Sequence, residues 1–216
     1  MINELIFFIQ IFLIVGFALV AFKLGKEALV AWVAIQPLIA NLFVLKQITL
    51  FGLDVTASDA FIIGSLLGLN FLQEYFNREE ANRATRICFF FMLFFALVSQ
   101  LHLIYQPNAY DTSQSAFLTL LTPSPRLLIA SMSVFFIVQQ MDIRFFAFLK
   151  KILPQVSFAW RAAIALVFSQ FLDTVLFSFA GLYGIVESIL DIMVMSFFIK
   201  LVVIFCFTSC IKWVKA

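Results

Sequence analysis

Seven long apolar stretches follow one another along this chain, and they constrain its fold more than any other feature. A helix needs about 20 mostly apolar residues to cross the hydrocarbon core of a bilayer. Each stretch is near that length, and short polar connections separate them. We therefore predict an all-α integral membrane protein, a bundle of seven transmembrane helices that forms one domain over residues 1–216. The stretches are residues 5–22, 28–45, 60–76, 87–105, 127–149, 162–183 and 188–211.

The third stretch is the weakest, because it is short and carries Asn70, Gln73 and Glu74. Without it the bundle would have six helices. In the second stretch, Pro37 is expected to kink the helix and not to end it. Gly64 and Gly68 form a G-x-x-x-G pattern that is typical of close helix packing.

The composition agrees with a surface that faces lipid. Of the 216 residues, 64% are hydrophobic, 30 are Phe and 12% are charged, about half the charged share of a soluble domain. So little charge cannot form a water-facing shell. A net charge of +2 without a long cluster of Lys and Arg argues against nucleic-acid binding.

No cofactor, metal or enzyme activity is expected. The three cysteines, Cys88, Cys206 and Cys210, lie in apolar stretches and form no C-x-x-C pair, so neither a disulfide framework nor a zinc site is indicated. His102 is expected to be an interfacial helix residue. The motifs of zinc proteases, serine hydrolases and phosphate-binding loops are missing. Without a phosphate-binding loop, any energy coupling would come from a gradient, a partner or metabolic trapping of a solute.

Basic residues predict the orientation in the inner (plasma) membrane. The N-terminus lacks the basic start of a signal peptide, so the first stretch is expected to be a retained span. With the N-terminus outside, only Lys46 and Arg126 fall in outer connections. An odd number of spans is then required, with a cytoplasmic C-terminus, and six helices would break the alternation. Ten basic residues fall on the inner side: Lys23, Lys26, Arg78, Arg83, Arg86, Lys150, Lys151, Arg161, Lys212 and Lys215.

The longest connection, residues 106–126, is predicted to be a plain loop because of its turn-forming residues. These are Pro107, Asn108, Asp111, Pro123 and Pro125.

Polar side chains inside the predicted spans indicate an internal site. A charge at the centre of a membrane helix costs about 2.5–3.5 kcal/mol, so such groups usually face a cavity or a partner. Helical spacing places the polar residues of each span on one face. They are Asn70 and Glu74 in the third span, Gln139 and Asp142 in the fifth, Ser169, Gln170, Asp173 and Thr174 in the sixth, and Lys200 in the seventh.

A Gln-x-x-Asp spacing occurs in two consecutive spans, as Gln139 with Asp142 and Gln170 with Asp173. An amide both donates and accepts hydrogen bonds, and a carboxylate can accept two from adjacent N–H groups. Together they could bind the edge of a planar heterocycle. An aromatic residue, Phe171, Phe177 or Trp160, could stack on its face. The structural alternative is that Asp173 and Lys200 pair and simply hold helices together.

Several segments, in order along the chain, carry a family resemblance. The chain resembles the queuosine precursor transporter family, also called vitamin-uptake-like transporters, from about residue 24 to residue 210. The most specific of the segments is Ser-Gln-x-x-Asp-Thr in residues 169–174. The others are residues 25–35 with Ala40-Asn41 and Lys46, Phe51-Gly52-Leu53, Gly64-Ser65, Glu74 ahead of residues 78–84, Gln139-x-x-Asp142, and Lys200.

This resemblance implies import of a 7-deazaguanine base for tRNA modification: 7-cyano-7-deazaguanine, 7-aminomethyl-7-deazaguanine or queuine. It also implies a fold similar to the substrate-binding subunits of energy-coupling-factor vitamin transporters. A homodimer and a separate energising module are left open. The candidate substrate-binding residues are Asn41, Asn70, Glu74, Gln139, Asp142, Ser169, Gln170, Asp173, Thr174 and Lys200.

In the implied site, a carboxylate such as Glu74 or Asp173 accepts hydrogen bonds from the guanine-like edge, and Gln139 or Gln170 donates to the ring oxygen. Two positions depart from the family pattern. Asn70 stands where the family usually has Asp, and residues 161–163 read Arg-Ala-Ala in place of a basic-then-asparagine segment. Either a binding subunit for another vitamin or nucleobase, or a membrane enzyme or assembly factor, is an alternative reading of the chain.

Overall fold

The computed structural model describes residues 2–43, 46–56, 58–122, 125–183 and 189–211. These residues form a helical bundle with one β-hairpin. A π-helical turn (Ser178–Leu182) extends the seventh helix. In chain order the elements are α1 (Ile2–Leu24), α2 (Lys26–Phe43), β1 (Gln47–Leu50), β2 (Leu53–Thr56), α3 (Asp59–Tyr75), α4 (Arg78–Ile104), α5 (Gln114–Leu121), α6 (Pro125–Ile152), α7 (Phe158–Phe177) and α8 (Ile189–Ile211).

Each of the seven predicted stretches coincides with one long helix, and a multi-helix membrane fold is confirmed. Five helices of the described chain are long and apolar enough to cross a bilayer: α1, α2, α4, and the parts Ile129–Ile152 and Phe158–Gly181. The count of seven spans and the orientation of the termini stay predictions.

The central helix of the bundle is α3, which explains why its sequence is short and polar. It packs against α1, α2, α4, α6, α7 and α8, and residues 63–73 are all buried. A helix enclosed by other helices needs no lipid-facing apolar surface. By contrast, Phe12 of α1 is 63% exposed and Phe90 of α4 is 62% exposed, as expected for side chains in contact with lipid.

Small residues allow α2 and α3 to approach closely, as the G-x-x-x-G pattern predicts. The indole Nε1–H of Trp32 donates to the carbonyl of Gly64 at 3.2 Å. A Cβ atom on Gly68 would lie 2.9 Å from Cγ2 of Val33. A larger residue at position 68 would therefore force the two helices apart.

Pro37 lies inside α2, and a hydrogen bond from a neighbouring helix compensates for it. Because proline lacks an N–H, the carbonyl four residues earlier, on Val33, loses its bond within the helix. The hydroxyl of Ser65 in α3 donates to that carbonyl at 2.9 Å. Gln139 of α6 donates in turn to Ser65, with Nε2 3.4 Å from Oγ. The three helices are thus linked at the proline.

The described residues form an all-α fold, to which a short β-hairpin between α2 and α3 is added. Its two-residue turn places both Phe51 (φ 53°) and Gly52 (φ 80°) in the left-handed region, as in the tight turns that suit antiparallel strands. The start of α1 holds this turn in place. The Phe51 N–H donates to Oε1 of Glu4 at 3.3 Å. The ring centroid of Phe51 lies 6.4 Å from that of Phe7, in an edge-on arrangement.

The prediction of a plain loop over residues 106–126 is wrong, because α5 lies within it. The prolines that indicated a loop flank this helix and are absent from it. The side chain of Gln100 in α4 donates to the carbonyl of Leu121 at 2.7 Å, and the His102 ring lies 5.1 Å from that of Phe117. These contacts with α4 hold the short helix in place.

Ion pairs gather at the end of the bundle where α2, α4 and α7 begin and α3 and α6 end; we call this the basic end. Lys26 lies 2.9 Å from Glu80, and Arg83 lies 3.5 Å from Glu27. The opposite end carries the β-hairpin, and we call it the hairpin end. Successive long helices run antiparallel. The basic residues predicted to face the cytoplasm therefore lie at the basic end, except Lys212 and Lys215, which are outside the described residues.

Candidate substrate site

The polar stripe of α7 contacts two neighbouring helices. The hydroxyl of Ser169 donates to Oδ1 of Asp142 in α6 at 2.6 Å. One turn further along α7, the ammonium of Lys200 in α8 lies 2.7 Å from Oδ2 of Asp173. It also donates to the hydroxyl of Thr174 at 3.1 Å. The stripe therefore holds α6, α7 and α8 together.

Asp173 and Lys200 form an ion pair. Such a pair is the structural alternative to substrate binding that the sequence leaves open. The side chains of Lys200 and Asp173 are 5% and 18% exposed, so both charges are largely removed from solvent. Their proximity neutralises them inside the bundle, and the pair occupies Oδ2 of the aspartate.

Glu74 is also engaged by cations, at the basic end. Its Oε1 lies 2.5 Å from Nη2 of Arg161, the first-turn residue of α7. Its Oε2 lies 3.3 Å from the ammonium of Lys150 at the end of α6. Neither cation was among the predicted site residues, because each lies more than 70 residues from Glu74 along the chain.

Aromatic rings cover the inner face of this ion-pair cluster. The ring centroid of Phe22 in α1 lies 5.3 Å from that of Phe71 and 4.7 Å from that of Tyr75, both in α3. Phe158 of α7 lies 5.0 Å from Phe71. The basic end of the bundle is therefore closed by packed rings and ion pairs.

Two other predicted site residues have different surroundings. Gln139 is 1% exposed, and its amide belongs to the link to Ser65 at Pro37. Asn41 is half-buried in the last turn of α2. At 1.5 Å per residue it lies about 22 Å along the helix from Lys26 at the basic end. The ten predicted residues are thus spread over the depth of the bundle and do not form one cluster.

Eight described residues carry buried side-chain atoms that have no hydrogen-bond partner in the described chain, and three of these residues are predicted site residues that form no ion pair. The unpaired atoms of these three are both carboxamide atoms of Asn70, both of Gln170, and Oδ2 of Asp142. The three residues are 1%, 0% and 0% exposed. A buried polar group without a partner costs about 1–3 kcal/mol. Groups of this kind are suited to binding a polar ligand.

Hydrogen bonds place these three residues at similar depth on adjoining helices. The amide of Gln73, three residues after Asn70, donates to the carbonyl of Ile143 at 2.8 Å. Ile143 follows Asp142, which accepts from Ser169, and Gln170 is the next residue of α7. The contacts link α3 to α6 and α6 to α7.

Two glutamines that were not among the predicted site residues belong with this set. Oε1 of Gln36 and Oε1 of Gln73 have no partner in the described chain, and these residues are 2% and 5% exposed. Both are amides within apolar stretches, which is the signal that could have identified them. Among the described residues, no three His, Cys, Asp or Glu side chains come together to hold a metal ion.

Comparison with known proteins identifies the family. A family model described as "putative vitamin uptake transporter" matches residues 56–214. The chain belongs to this family. It is therefore a multi-pass transporter of the inner membrane, and membership favours transport over catalysis as its activity. The match runs from the end of the hairpin to the C-terminus and includes α3, α6, α7 and α8, which carry the buried polar residues.

One curated relative carries a more specific name. The chain is 29% identical over 162 residues to the "Probable queuosine precursor transporter" of Bacillus subtilis (strain 168). The alignment covers 74% of this chain and 71% of the relative. No solved structure gives a significant match. Both the family and this relative agree with the resemblance carried by residues 24–210.

Proposed function

We propose that this transporter imports a 7-deazaguanine base, either a queuosine precursor or queuine, for tRNA modification. The observation that carries the proposal is the set of buried, unpaired polar atoms on Asn70, Asp142 and Gln170. The name of the Bacillus relative supports the choice of solute. The bundle interior offers donors and acceptors, and such a base needs both.

The chemistry of the base matches these atoms. A guanine-like edge presents a ring carbonyl that accepts, and a ring N–H and an amino group that donate. The free Oδ2 of Asp142 would accept from the donors in a charge-assisted bond. The carboxamides of Asn70 and Gln170 would donate to the carbonyl and accept from the remaining N–H groups.

In this assignment the carboxylate that binds the base differs from those expected from the sequence. Glu74 and Asp173 were the expected acceptors, but Arg161, Lys150 and Lys200 engage their oxygens. We assign these two residues to helix pairing. Asp142, whose only described partner is a neutral hydroxyl, is then the carboxylate available to the solute.

The direction of import is part of the same proposal. We place the hairpin end outside and the basic end in the cytoplasm, with seven spanning helices, because cytoplasmic loops are enriched in Lys and Arg. The solute would then leave past the pair of Glu74 and Arg161, whose separation would open the basic end.

Direct binding to the purified protein tests the proposal. Queuine, 7-cyano-7-deazaguanine and 7-aminomethyl-7-deazaguanine are titrated against protein in detergent or nanodiscs, with guanine as the comparison. Saturable binding of one of the three, tighter than that of guanine, is expected. Absence of binding to all three in folded protein would contradict the proposed solute.

Replacing the unpaired amides by leucine tests whether they bind the base or stabilise the bundle. Asn70→Leu and Gln170→Leu each remove buried groups that lack partners, so the melting temperature of the empty protein should rise while base binding is lost. Gln100→Leu, at the surface between α4 and α5, is the matched control that should keep binding. A fall in melting temperature would assign the two amides a structural role, and retained binding would remove them from the substrate site.

A second candidate function follows from the family description, which names vitamin uptake. In that case the chain is a binding subunit for another vitamin or nucleobase and works with a separate energising module. Co-purification with an ATPase pair would favour it. Uptake of a base by the isolated chain in liposomes would count against it.

A further inference from the structure

A cavity of about 270 Å³ opens at the hairpin end of the bundle. It lies between the start of α1, the end of α2, the hairpin and the start of α3. It is separate from Asn70, Asp142 and Gln170, none of which lines it. Its volume is near the lower limit of small-molecule pockets, which suits one bicyclic ring better than a lipid with two acyl chains.

Aromatic rings form much of the cavity wall. Phe7 is 5% exposed and belongs to the bundle core. The rings of Phe43 and Phe61 lie 5.8 Å apart and are tilted by 58°. Phe43 is 48% exposed and lies at the rim. Aromatic faces bind planar rings by stacking with little preference for their substituents.

Three polar side chains, those of Asn3, Gln10 and Lys46, line the same cavity. Asn3 is held by a hydrogen bond from its amide nitrogen to the carbonyl of Thr49 at 3.1 Å, and its carboxamide retains further donor and acceptor capacity. Gln10 provides a second carboxamide. Lys46 is exposed and forms no ion pair with any residue of the described ranges.

We propose that this cavity is an outer docking site for a planar heteroaromatic base. Phenylalanine rings would stack on the base, the carboxamides of Asn3 and Gln10 would bind its polar edge, and Lys46 would donate to a ring carbonyl. The inference rests on the proposed function, because the occupant is the same class of solute that the interior site takes.

The state of the two ends supports this role. The basic end is closed by the rings of Phe22, Phe71 and Phe158 and by the pair of Glu74 with Arg161. The hairpin end has the cavity. A solute that arrives from outside would meet the cavity before the interior amides.

Transport kinetics provide the first test. Lys46→Ala and Phe43→Ala should raise the KM for the base about three- to tenfold, the size expected for one lost hydrogen bond or one weakened stacking contact. The maximal rate should stay unchanged, because the interior site is intact. Lys23→Ala and Phe90→Ala, which alter exposed residues of the same types, are the matched controls. An unchanged KM for both cavity variants would overturn the proposal and leave the proposed function standing.

Thiol protection provides a second test that does not require transport. Ile6→Cys, at an exposed position of the cavity wall that the proposal does not use for binding, is made with Cys206 and Cys210 replaced by serine, and is labelled with a membrane-impermeant thiol reagent. The three 7-deazaguanine bases are added at up to about 1 mM, the upper end of ordinary KM values. At least one base should slow labelling, and should still slow it when Gln170→Leu is added to disable the interior site.

The outcomes separate the two proposals. Protection that persists with Gln170→Leu supports the outer site, even if no base is imported. Protection that disappears with Gln170→Leu, or no protection by any base, overturns the outer site. Failure of the wild-type chain to bind or import any of the bases overturns the proposed function, and is measured independently.

Discussion

At the residue scale, the buried polar side chains divide into those that hold helices together and those left unpaired. Asp173 and Asp142 occupy equivalent places in the two Gln-x-x-Asp pairs, yet Asp173 lies beside a lysine and Asp142 accepts only from a serine hydroxyl. We therefore propose different roles for the two carboxylates: Asp173 stabilises the bundle, and Asp142 binds the solute.

Removing one member of the Lys200 pair should destabilise the protein. Lys200→Met leaves the mostly buried Asp173 without its counter-charge, which costs about 3 kcal/mol for pairs of this kind. The double variant Lys200→Met with Asp173→Asn removes both charges and should regain most of the lost stability. Thermal unfolding in detergent measures this. Equal losses in the single and double variants would show that the charges are not coupled.

At the element scale, the break that Pro37 makes in α2 is repaired by a different helix. Ser65 supplies the hydrogen bond that the proline cannot, and Gln139 extends the link to α6. A proline inside a membrane helix is tolerated when a neighbouring side chain satisfies the freed carbonyl. Here the repair also positions α3, the helix that carries Asn70.

A double-mutant cycle tests this link. Ser65→Ala leaves the Val33 carbonyl without its donor and should lower stability by about 1–3 kcal/mol. Pro37→Ala restores the N–H within α2, so Ser65→Ala should cost less in that background, with a coupling of about 1 kcal/mol. The loss of stability from Thr208→Ala, whose hydroxyl bonds within its own helix, should be the same with and without Pro37→Ala. If the loss from Ser65→Ala is also the same in both backgrounds, the link is contradicted.

The hairpin and α5 show where the sequence could not predict an element. Phe51-Gly52 is not among the usual turn pairs of a two-residue hairpin, and contacts with Glu4 and Phe7 hold its left-handed phenylalanine. The loop signals were correct for residues 106–113 before α5, whereas Pro125 begins α6. In both cases packing against a distant helix decides the local structure.

At the scale of the whole molecule, charge and packing distinguish the two ends of the bundle. The basic end carries the ion pairs of Lys26, Arg83 and Arg161 and is closed. The hairpin end carries Lys46 and an open cavity. This asymmetry is the reason why we propose an inward direction of transport.

Reporter fusions test the orientation and the number of spans. Alkaline phosphatase, which is active only outside the cytoplasm, should be active when fused after residue 108 and inactive after residue 155. A C-terminal green fluorescent protein should fluoresce, and an N-terminal epitope should be accessible on intact spheroplasts. Termini on the same side would require an even number of spans, and a fully reversed pattern would invert the bundle.

The sequence by itself determined that the surface of this chain faces lipid, where its long helices lie and which polar residues lie in its interior. Hydropathy and length suffice for this, because backbone groups within a bilayer must be paired inside the protein, and a helix pairs nearly all of its own. Sequence motifs also indicated membership of a transporter family, and the comparison with known proteins confirmed it.

The tertiary structure alone decided which interior polar groups are paired. Glu74 meets Arg161 from 87 residues away, and Lys200 meets Asp173 from 27, whereas Asn70 and Gln170 meet no described partner. In sequence all of them are polar residues at helical spacing. Pairing depends on which helices adjoin and at what depth each side chain lies, and only the packed bundle sets these two quantities.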